Sequence, residues 1–311
     1  MAETAGIVLA GGRSSRMGRP KAALEWHGST LLRRVVGIVG RVVDGPVIVV
    51  RAPGQDLPAL PDGVEVVEDA REGRGPLQGL AAGLAAARPH ATAAYVSSTD
   101  VPLLHPRFVR RVIAALDDGA DVVLPHVGGY PQPLAAVYRT ALLETVEQLI
   151  AEDRLRPAFL FEACRVRRLD AAALLEDPAL AALDPELESV LNLNEPAHYD
   201  AARARPAPEV TVRVFGALRR LAGATADPAL VAASTLAEAA AATNLTLDEH
   251  VVAALNGDQI TRDPDAPLVA GDGLRLHQRQ GTEGAPALSR RRRRRGTRRC
   301  RRRRAARRGR A

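Results

Sequence analysis

Aromatic side chains are scarce in this chain: four Phe, four Tyr and one Trp make up 3% of 311 residues. Its core must therefore be built from aliphatic residues and alanine, and a hydrophobic content of 46% supplies them. A chain of this length has room for about two domains. Cysteine is nearly absent. Cys164 and Cys300 lie far apart and form no C-x-x-C pair, which excludes a disulfide framework and a cysteine zinc site. The seven histidines are scattered without ligand spacing. No apolar run approaches the roughly 20 residues of a membrane helix. Met1 to Ala5 lacks the basic start of a secretory signal, so a cytoplasmic protein with no membrane partner is expected. Acid is missing from the last segment, where Arg290 to Arg310 holds fifteen arginines and no carboxylate. The net charge of +7 thus belongs to that tail, and the remaining body is acidic.

The most informative stretch is Ile7 to Lys21, I-V-L-A-G-G-R-S-S-R-M-G-R-P-K. Ile7, Val8 and Leu9 read as a strand, and Gly11 and Gly12 follow at once, allowing backbone geometry and close approach that side chains forbid. Successive N–H groups in such a loop form a concave anion site, and Arg13, Arg16 and Lys21 add positive charge at its rim. Two glycines alone would be an ordinary turn, whereas the whole string suits a polyphosphate. It is not a Walker A loop, because Ala22 follows Lys21, and the glycines do not form G-x-G-x-x-G, which disfavours a Rossmann dehydrogenase.

Downstream, Ser29 is expected to cap a helix with Leu31, Leu32, Val35, Val36 and Val39 at helical spacing. Pro46 to Val50 reads as a buried strand and Val64 to Val67 as another. Gly75 and Pro76 suit a turn into a helix that buries Leu77, Leu80 and Leu84. The strand Ala93 to Val96 leads into S-S-T-D-V-P, placing Asp100 just past its carboxyl end. A strand-end carboxylate opposite a phosphate loop supplies one ligand to Mg²⁺, which typically takes one or two carboxylates plus substrate phosphates. Phe108 to Leu116 is expected as a helix, Asp121 to Leu124 as a strand, Gly128 and Gly129 as a turn, and Leu134 to Tyr138 as a strand. Helical spacing returns at Leu142 to Ile150 and around Phe159 to Phe161, beside which Cys164 reads as core. In V-L-N-L-N-E-P, Leu191 and Leu193 are expected buried with Asn192 and Asn194 on the opposite face, and Asn194 with Pro196 suits a helix cap. The βαβ order predicts an α/β fold with a Rossmann-like, mainly parallel sheet, and ligands in such sheets sit at the strands' carboxyl ends.

After a linker at Pro206 to Pro208, Val210, Val212 and Val214 alternate as a half-buried strand, with Leu218 and Leu221 starting a short helix and Leu236 to Ala242 forming another. Val251 to Leu255 leads into Asn256-Gly257, a hairpin signal. Gly271 to Gly273 then turns into Leu274 to Leu276. The expected organisation is a domain over 1–205, a small domain over 209–280 and a disordered basic tail over 281–311. The tail lacks interleaved aromatics, so no specific nucleic-acid partner is expected.

L-A-G-G-x-x-x-R-M-G-x-x-K resembles the signature of nucleotidyltransferases that activate small phosphorylated molecules. Its Ala10-Gly11-Gly12 form resembles the molybdenum cofactor guanylyltransferases. D-A-R-E-G-R-G-P-L-Q-G from Asp69, Asp100 in D-x-P, Gln132-Pro133-Leu134 and Asn192-x-Asn194-x-Pro196 extend the match. The resemblance implies an enzyme that transfers GMP from GTP to the phosphate of molybdenum-carrying molybdopterin, with Mg²⁺ as cofactor. It implies Lys21, Arg16 and Asp100 as catalytic residues and Asp100 as the metal ligand. Leu9, Ala10, Gly11, Gly12, Arg13, Lys21, Asp69, Gly75 and Asp100 would hold the nucleotide, and Gln132, Pro133, Asn192 and Asn194 would border the acceptor. A cytidylyl- or sugar-phosphate nucleotidyltransferase would share the loop, and a non-catalytic binding or regulatory protein is the rival of another class. The small domain, through V-R-V-F-G-A-L-R-R-L-A-G, L-N-G-D-Q-I and V-A-G-D-G-L-R-L, resembles the sulfur-carrier subunit of molybdopterin synthase, which implies a β-grasp (ubiquitin-like) fold. Molybdopterin synthase or molybdenum-insertion proteins are the partners so implied. Such carriers end in Gly-Gly, and no Gly-Gly pair follows His277, so the domain is expected to bind and not to carry sulfur.

Overall fold

The first sheet sets buried central strands, cut from continuous apolar stretches, between more polar and exposed edge strands. In the computed structural model its strands are Thr4–Leu9 (β1), Val47–Arg51 (β2), Glu65–Glu68 (β3), Ala93–Ser98 (β4), Val122–Val127 (β5), Ala135–Arg139 (β6) and Val166–Leu169 (β7). Residues 3–11, 20–69, 75–222, 228–247, 251–257 and 259–278 are described. Gly12, Arg13, Arg16 and the whole stretch 281–311 lie outside these.

The strand order is β3-β2-β1-β4-β6-β5-β7. β1 is flanked by β2 and β4, both parallel to it, and β3 continues parallel to β2. β6 runs antiparallel to both β4 and β5, and β7 returns parallel to β5. Helices Leu31–Gly40 (α1) and Pro106–Ala114 (α3) pack Val35, Val36, Phe108 and Val112 against one face of the sheet. Helices Pro76–Ala87 (α2) and Leu143–Ala151 (α4) pack Leu77, Leu84, Val146 and Leu149 against the other. Burying each such side chain contributes about 1.5–3 kcal/mol, which is how a core so poor in aromatics holds together.

The structure corrects several local expectations. Thr30, not Ser29, caps α1, accepting from the Arg33 N–H at 3.3 Å, because Ser29–Thr30 first pairs with Glu25–Trp26 in a two-strand ribbon. β3 pairs only with β2, so it is an edge strand and Val66 is 42% exposed instead of buried. The expected alternation at Val190 to Pro196 fails because the turn Glu188–Val190 shifts the phase. Leu193 is buried while Leu191 is 41% exposed. Glu195, not Asn194, is the N-cap of Pro196–Arg203 (α5).

The second sheet comprises Glu209–Val214 (β8), Ala229–Ala232 (β9), Val251–Leu255 (β10), Gln259–Thr261 (β11) and Gly273–Gln278 (β12), in the order β9-β8-β12-β10-β11. The pairing is antiparallel except β8 with β12. Leu236–Ala242 (α6) covers one face through Leu236, Ala239 and Ala240, completing the expected β-grasp arrangement. Its first turn is fixed by Thr235, which accepts from the Glu238 N–H, while the Glu238 carboxylate accepts from the Ser234 N–H. Asn256 and Gly257 take positive φ in the β10–β11 hairpin. β9 carries only four residues and was not anticipated from the pattern.

Both sheets belong to one compact unit, joined along α1. Arg41 makes a bidentate pair with Asp272 at 2.6 and 2.9 Å, and Arg33 reaches Asp263 at 2.6 Å and Asp265 at 3.1 Å. Gly37 sits between them because a Cβ there would come within 2.6 Å of the Pro267 ring.

Candidate active site

β1, β2 and β4 run parallel and end together, and a cavity of about 610 Å³ opens at their carboxyl ends. Leu9, Ala10, Gly11, Lys21, Asp69, Gly75, Asp100, Asn192 and Asn194 all line it. The tertiary fold thus gathers positions separated by up to 185 residues of sequence, from Leu9 to Asn194, into one wall. Gln132 and Pro133 are not among the lining residues; their neighbour Leu134 is. Gln132 instead holds its own turn, with its N–H on the Pro125 carbonyl, and the Pro133 carbonyl accepts from the buried Tyr138 hydroxyl at 2.8 Å.

At the exit of β1, the N–H groups of Ala10 and Gly11 both donate to the Val50 carbonyl, at 2.8 and 3.3 Å. The Gly11 N–H is therefore committed to the strand ladder and not offered to an anion, as the sequence had suggested. Glycine still eases the packing there, because a Cβ would approach the Ala52 nitrogen to 3.2 Å and push that backbone aside by a few tenths of an ångström. Gln55 fastens the same corner: its amide donates to the Ala10 carbonyl at 3.1 Å and accepts from the Ala52 N–H at 3.0 Å. The expected partners Gly12, Arg13 and Arg16 lie outside the described residues.

The charged centre lies where β4 ends. The Lys21 ammonium donates to Asp100 Oδ2 and to Asn194 Oδ1, each at 2.7 Å. The other carboxylate oxygen of Asp100 accepts from the Ser98 hydroxyl at 2.6 Å. The backbone fixes the same residue, since the Leu193 N–H donates to the Asp100 carbonyl at 2.8 Å. That contact brings Asn192 and Asn194 to the cavity. Facing this group, Asp69 is held by its N–H on the Arg51 carbonyl at 2.8 Å, and Gly75 caps α2 with φ of +86°. The twelve-residue α2 presents its N-terminal, positive dipole end to the cavity.

Arg51, Ala52, Ser98 and Thr99 also line the cavity and escaped the sequence reading. Ser98 and Thr99 could have been found, since they share the S-S-T-D string with Asp100. Arg51 and Gln55 could not, because nothing local marks the end of β2 as a site. Cys164 is half-buried, and burial pushes its thiol up to about 11, so it is not a nucleophile at neutral pH.

Among the described residues no group of three His, Cys, Asp or Glu side chains could cage a metal. Strand-end Asp100, in a cavity that Lys21, Arg51 and Asp69 also line, instead fits a cation held jointly by protein and substrate phosphates.

A mainly parallel α/β sheet with a lysine and a carboxylate meeting at its strand ends is an α/β fold with its ligand cavity at the carboxyl ends of the strands. Residues 6–167 match the MobA-like NTP transferase domain. The chain belongs to that family and is a nucleotidyltransferase. It is 42% identical over 153 residues to a protein of Mycobacterium avium named "probable molybdenum cofactor guanylyltransferase", covering 48% of this chain and 76% of that one. A protein of the same name from Mycobacterium tuberculosis is 41% identical over 169 residues, covering 53% and 82%. The crystal structure of molybdopterin-guanine dinucleotide biosynthesis protein A from Archaeoglobus fulgidus shares the fold, with a TM-score of 0.51 at 22% identity over 64% of this chain and 96% of that chain.

Proposed function

We propose that the protein transfers GMP from GTP to the terminal phosphate of a molybdopterin-type acceptor, releasing pyrophosphate, in molybdenum cofactor biosynthesis. The observation that carries this reading is the Lys21–Asp100–Asn194 cluster at the mouth of the strand-end cavity. The names of the mycobacterial relatives, molybdenum cofactor guanylyltransferases, support guanine as the base and a molybdenum cofactor as the acceptor. In the reaction an acceptor phosphate oxygen bonds to the α-phosphorus of GTP, and the bond from that phosphorus to the oxygen bridging to the β-phosphate breaks. The acceptor phosphate has a second pKa near ~6 and is already an anionic nucleophile at neutral pH, so no general base is needed.

The chain's own groups act by positioning and charge neutralisation. Lys21 would shift from Asp100 onto the β- and γ-phosphates and stabilise the departing pyrophosphate. Asp69 and the backbone at Gly75 would hold the nucleoside, and Asn192 and Asn194 would border the acceptor. Asp100, with one oxygen fixed by Ser98, would hold Mg²⁺ together with substrate phosphates. A cation so bound supplies Lewis-acid stabilisation of the phosphoryl charge. Functionally, residues 1–205 would form the transferase and 209–280 an attached β-grasp module.

Incubation with GTP or CTP, Mg²⁺ and molybdopterin, followed by mass analysis, tests this reading. A guanylylated product formed with higher kcat/KM than its cytidylyl counterpart is expected. Equal or better use of CTP would instead favour a cytidylyltransferase.

A further inference from the structure

Arg34 lies on α1, on the side turned toward the second sheet, and is only 6% exposed. Its Nε donates to the Pro102 carbonyl at 2.6 Å, and its two terminal nitrogens reach the Ser234 carbonyl at 3.4 Å and the Leu268 carbonyl at 3.2 Å. Burying a guanidinium with carbonyls and no directly bonded carboxylate is costly, and burial accordingly lowers its pKa to about 10, which leaves it charged at neutral pH. A leucine or methionine would fill the space at α1 without that cost, so the donors themselves matter.

Pro102 stands two residues beyond Asp100, in the turn that leaves β4. That turn is pinned at three points: Ser98 on the Asp100 carboxylate, Leu193 on the Asp100 carbonyl, and Arg34 on the Pro102 carbonyl. Ser98 and Leu193 belong to the transferase part. Arg34 ties the turn to loops of the second sheet, one before α6 at Ser234 and one before β12 at Leu268. Arg33 and Arg41 join the same two sheets but make no hydrogen bond or ion pair with residues 98–102.

We propose that Arg34 is a positioning residue for Asp100: by clamping the Pro102 carbonyl to the Ser234 and Leu268 carbonyls, it holds the β4 exit turn in the geometry that presents Asp100 to a divalent cation. The second sheet is then a working part of the transferase, acting on the metal site at one remove. This rests on the reading of Asp100 as metal ligand. The planar fork of arginine is needed because three carbonyls from three segments must be reached at once, which a lysine ammonium on its single stem does less well.

The test uses the full chain and four variants: Arg34→Gln, Arg34→Lys, Arg41→Gln and Asp100→Asn. Mn²⁺ binding in the presence of GTP is followed by electron paramagnetic resonance, beside the melting temperature and the Mg²⁺ dependence of pyrophosphate release. Arg34→Gln is expected to weaken Mn²⁺ binding about tenfold, within the range of ordinary site-to-site coupling, and Arg34→Lys less. Arg41→Gln is expected to lower the melting temperature while leaving Mn²⁺ affinity within about twofold, because it loosens the docking without touching the turn. Should Arg34→Gln fail to fold, Arg34→Lys, which keeps the charge, carries the measurement. Unchanged Mn²⁺ affinity in the folded Arg34 variants, with Asp100→Asn weakened, would overturn the proposal alone. Equal weakening in Arg34→Gln and Arg41→Gln would also overturn it, by reducing Arg34 to docking. Unchanged affinity in Asp100→Asn would remove the metal role of Asp100 and the proposal with it.

Discussion

The two sheets bury their residues differently, and the difference separates chemistry from support. In the first, β1 and β4 are covered on both faces, so their sequences are nearly all apolar and only the strand ends are free to carry polar groups. Its reactive side chains accordingly gather at the carboxyl ends. The second sheet is covered on one face by α6, and its strands alternate: Val210, Val212 and Val214 point inward, while Thr211 and Arg213 lie on the open side. Arg213 stands opposite Arg275 on that side, and Leu230 and Ile260 are exposed beside them. A sheet built this way offers a face for contact, and its attachment to α1 offers leverage on its neighbour.

The largest expected effect tests whether the sheets stand or fall together. Asp272→Ala strands the buried Arg41 guanidinium and should cost roughly 3–5 kcal/mol. Calorimetry should then show a lower melting temperature, and two separate transitions would mean that the sheets fold independently. Asp100→Ala should act the other way round, lowering kcat/KM by about 10²–10³-fold with little change in melting temperature, because it removes a strand-end electrostatic group and no packing. Transfer at the parent rate by the folded variant would end its proposed role. Lys21→Ala is expected to cost about a hundredfold in the same assay, and unchanged turnover would refute its placement on the leaving phosphates.

Smaller effects sharpen the contrast at the junction itself. Gly37→Ala would force a methyl against the Pro267 ring and should destabilise by about 1–3 kcal/mol in chemical denaturation, without altering nucleotide KM. His105 gives the mildest readout. Its Nδ1 accepts from the Arg107 N–H and its Nε2 faces the Ala270 carbonyl at 3.2 Å, so the folded state holds the neutral ring. Burial lowers its pKa below the ordinary 6.5, and the unfolded chain therefore takes up the proton first on acidification. Stability should be fully present above about pH 6.5 and decline as the pH falls toward the folded pKa. The decline should be absent in His105→Leu, and an equal slope in that variant would assign it to other groups.

Much of the fold was legible because apolar periodicity has a direct cause in burial. Leu236 to Ala242 and Val251 to Leu255 form their elements at the expected bounds, and Gly75-Pro76 opens α2 as the turn chemistry required. The errors arose where a neighbour decided. Leu191 and Val66 look like core residues, yet one follows a tight turn and the other lies at a sheet edge. Of the candidate site, Lys21, Asp69 and Asp100 were readable from local strings. Gln55 was not, since its role is to bridge two strand ends that only the sheet brings together.

By itself the sequence determined the central strands and the main helices, and it placed Asp100 just past a strand end, because local geometry and the need to bury apolar side chains act over a few residues. Only the tertiary structure decided that Lys21 would lie between Asp100 and Asn194, that the Gly11 N–H would stay in the ladder, and that Arg34 would reach across to Pro102, Ser234 and Leu268. Those contacts join residues far apart in the chain, and their geometry is set by how the two sheets pack against α1, which no local pattern records.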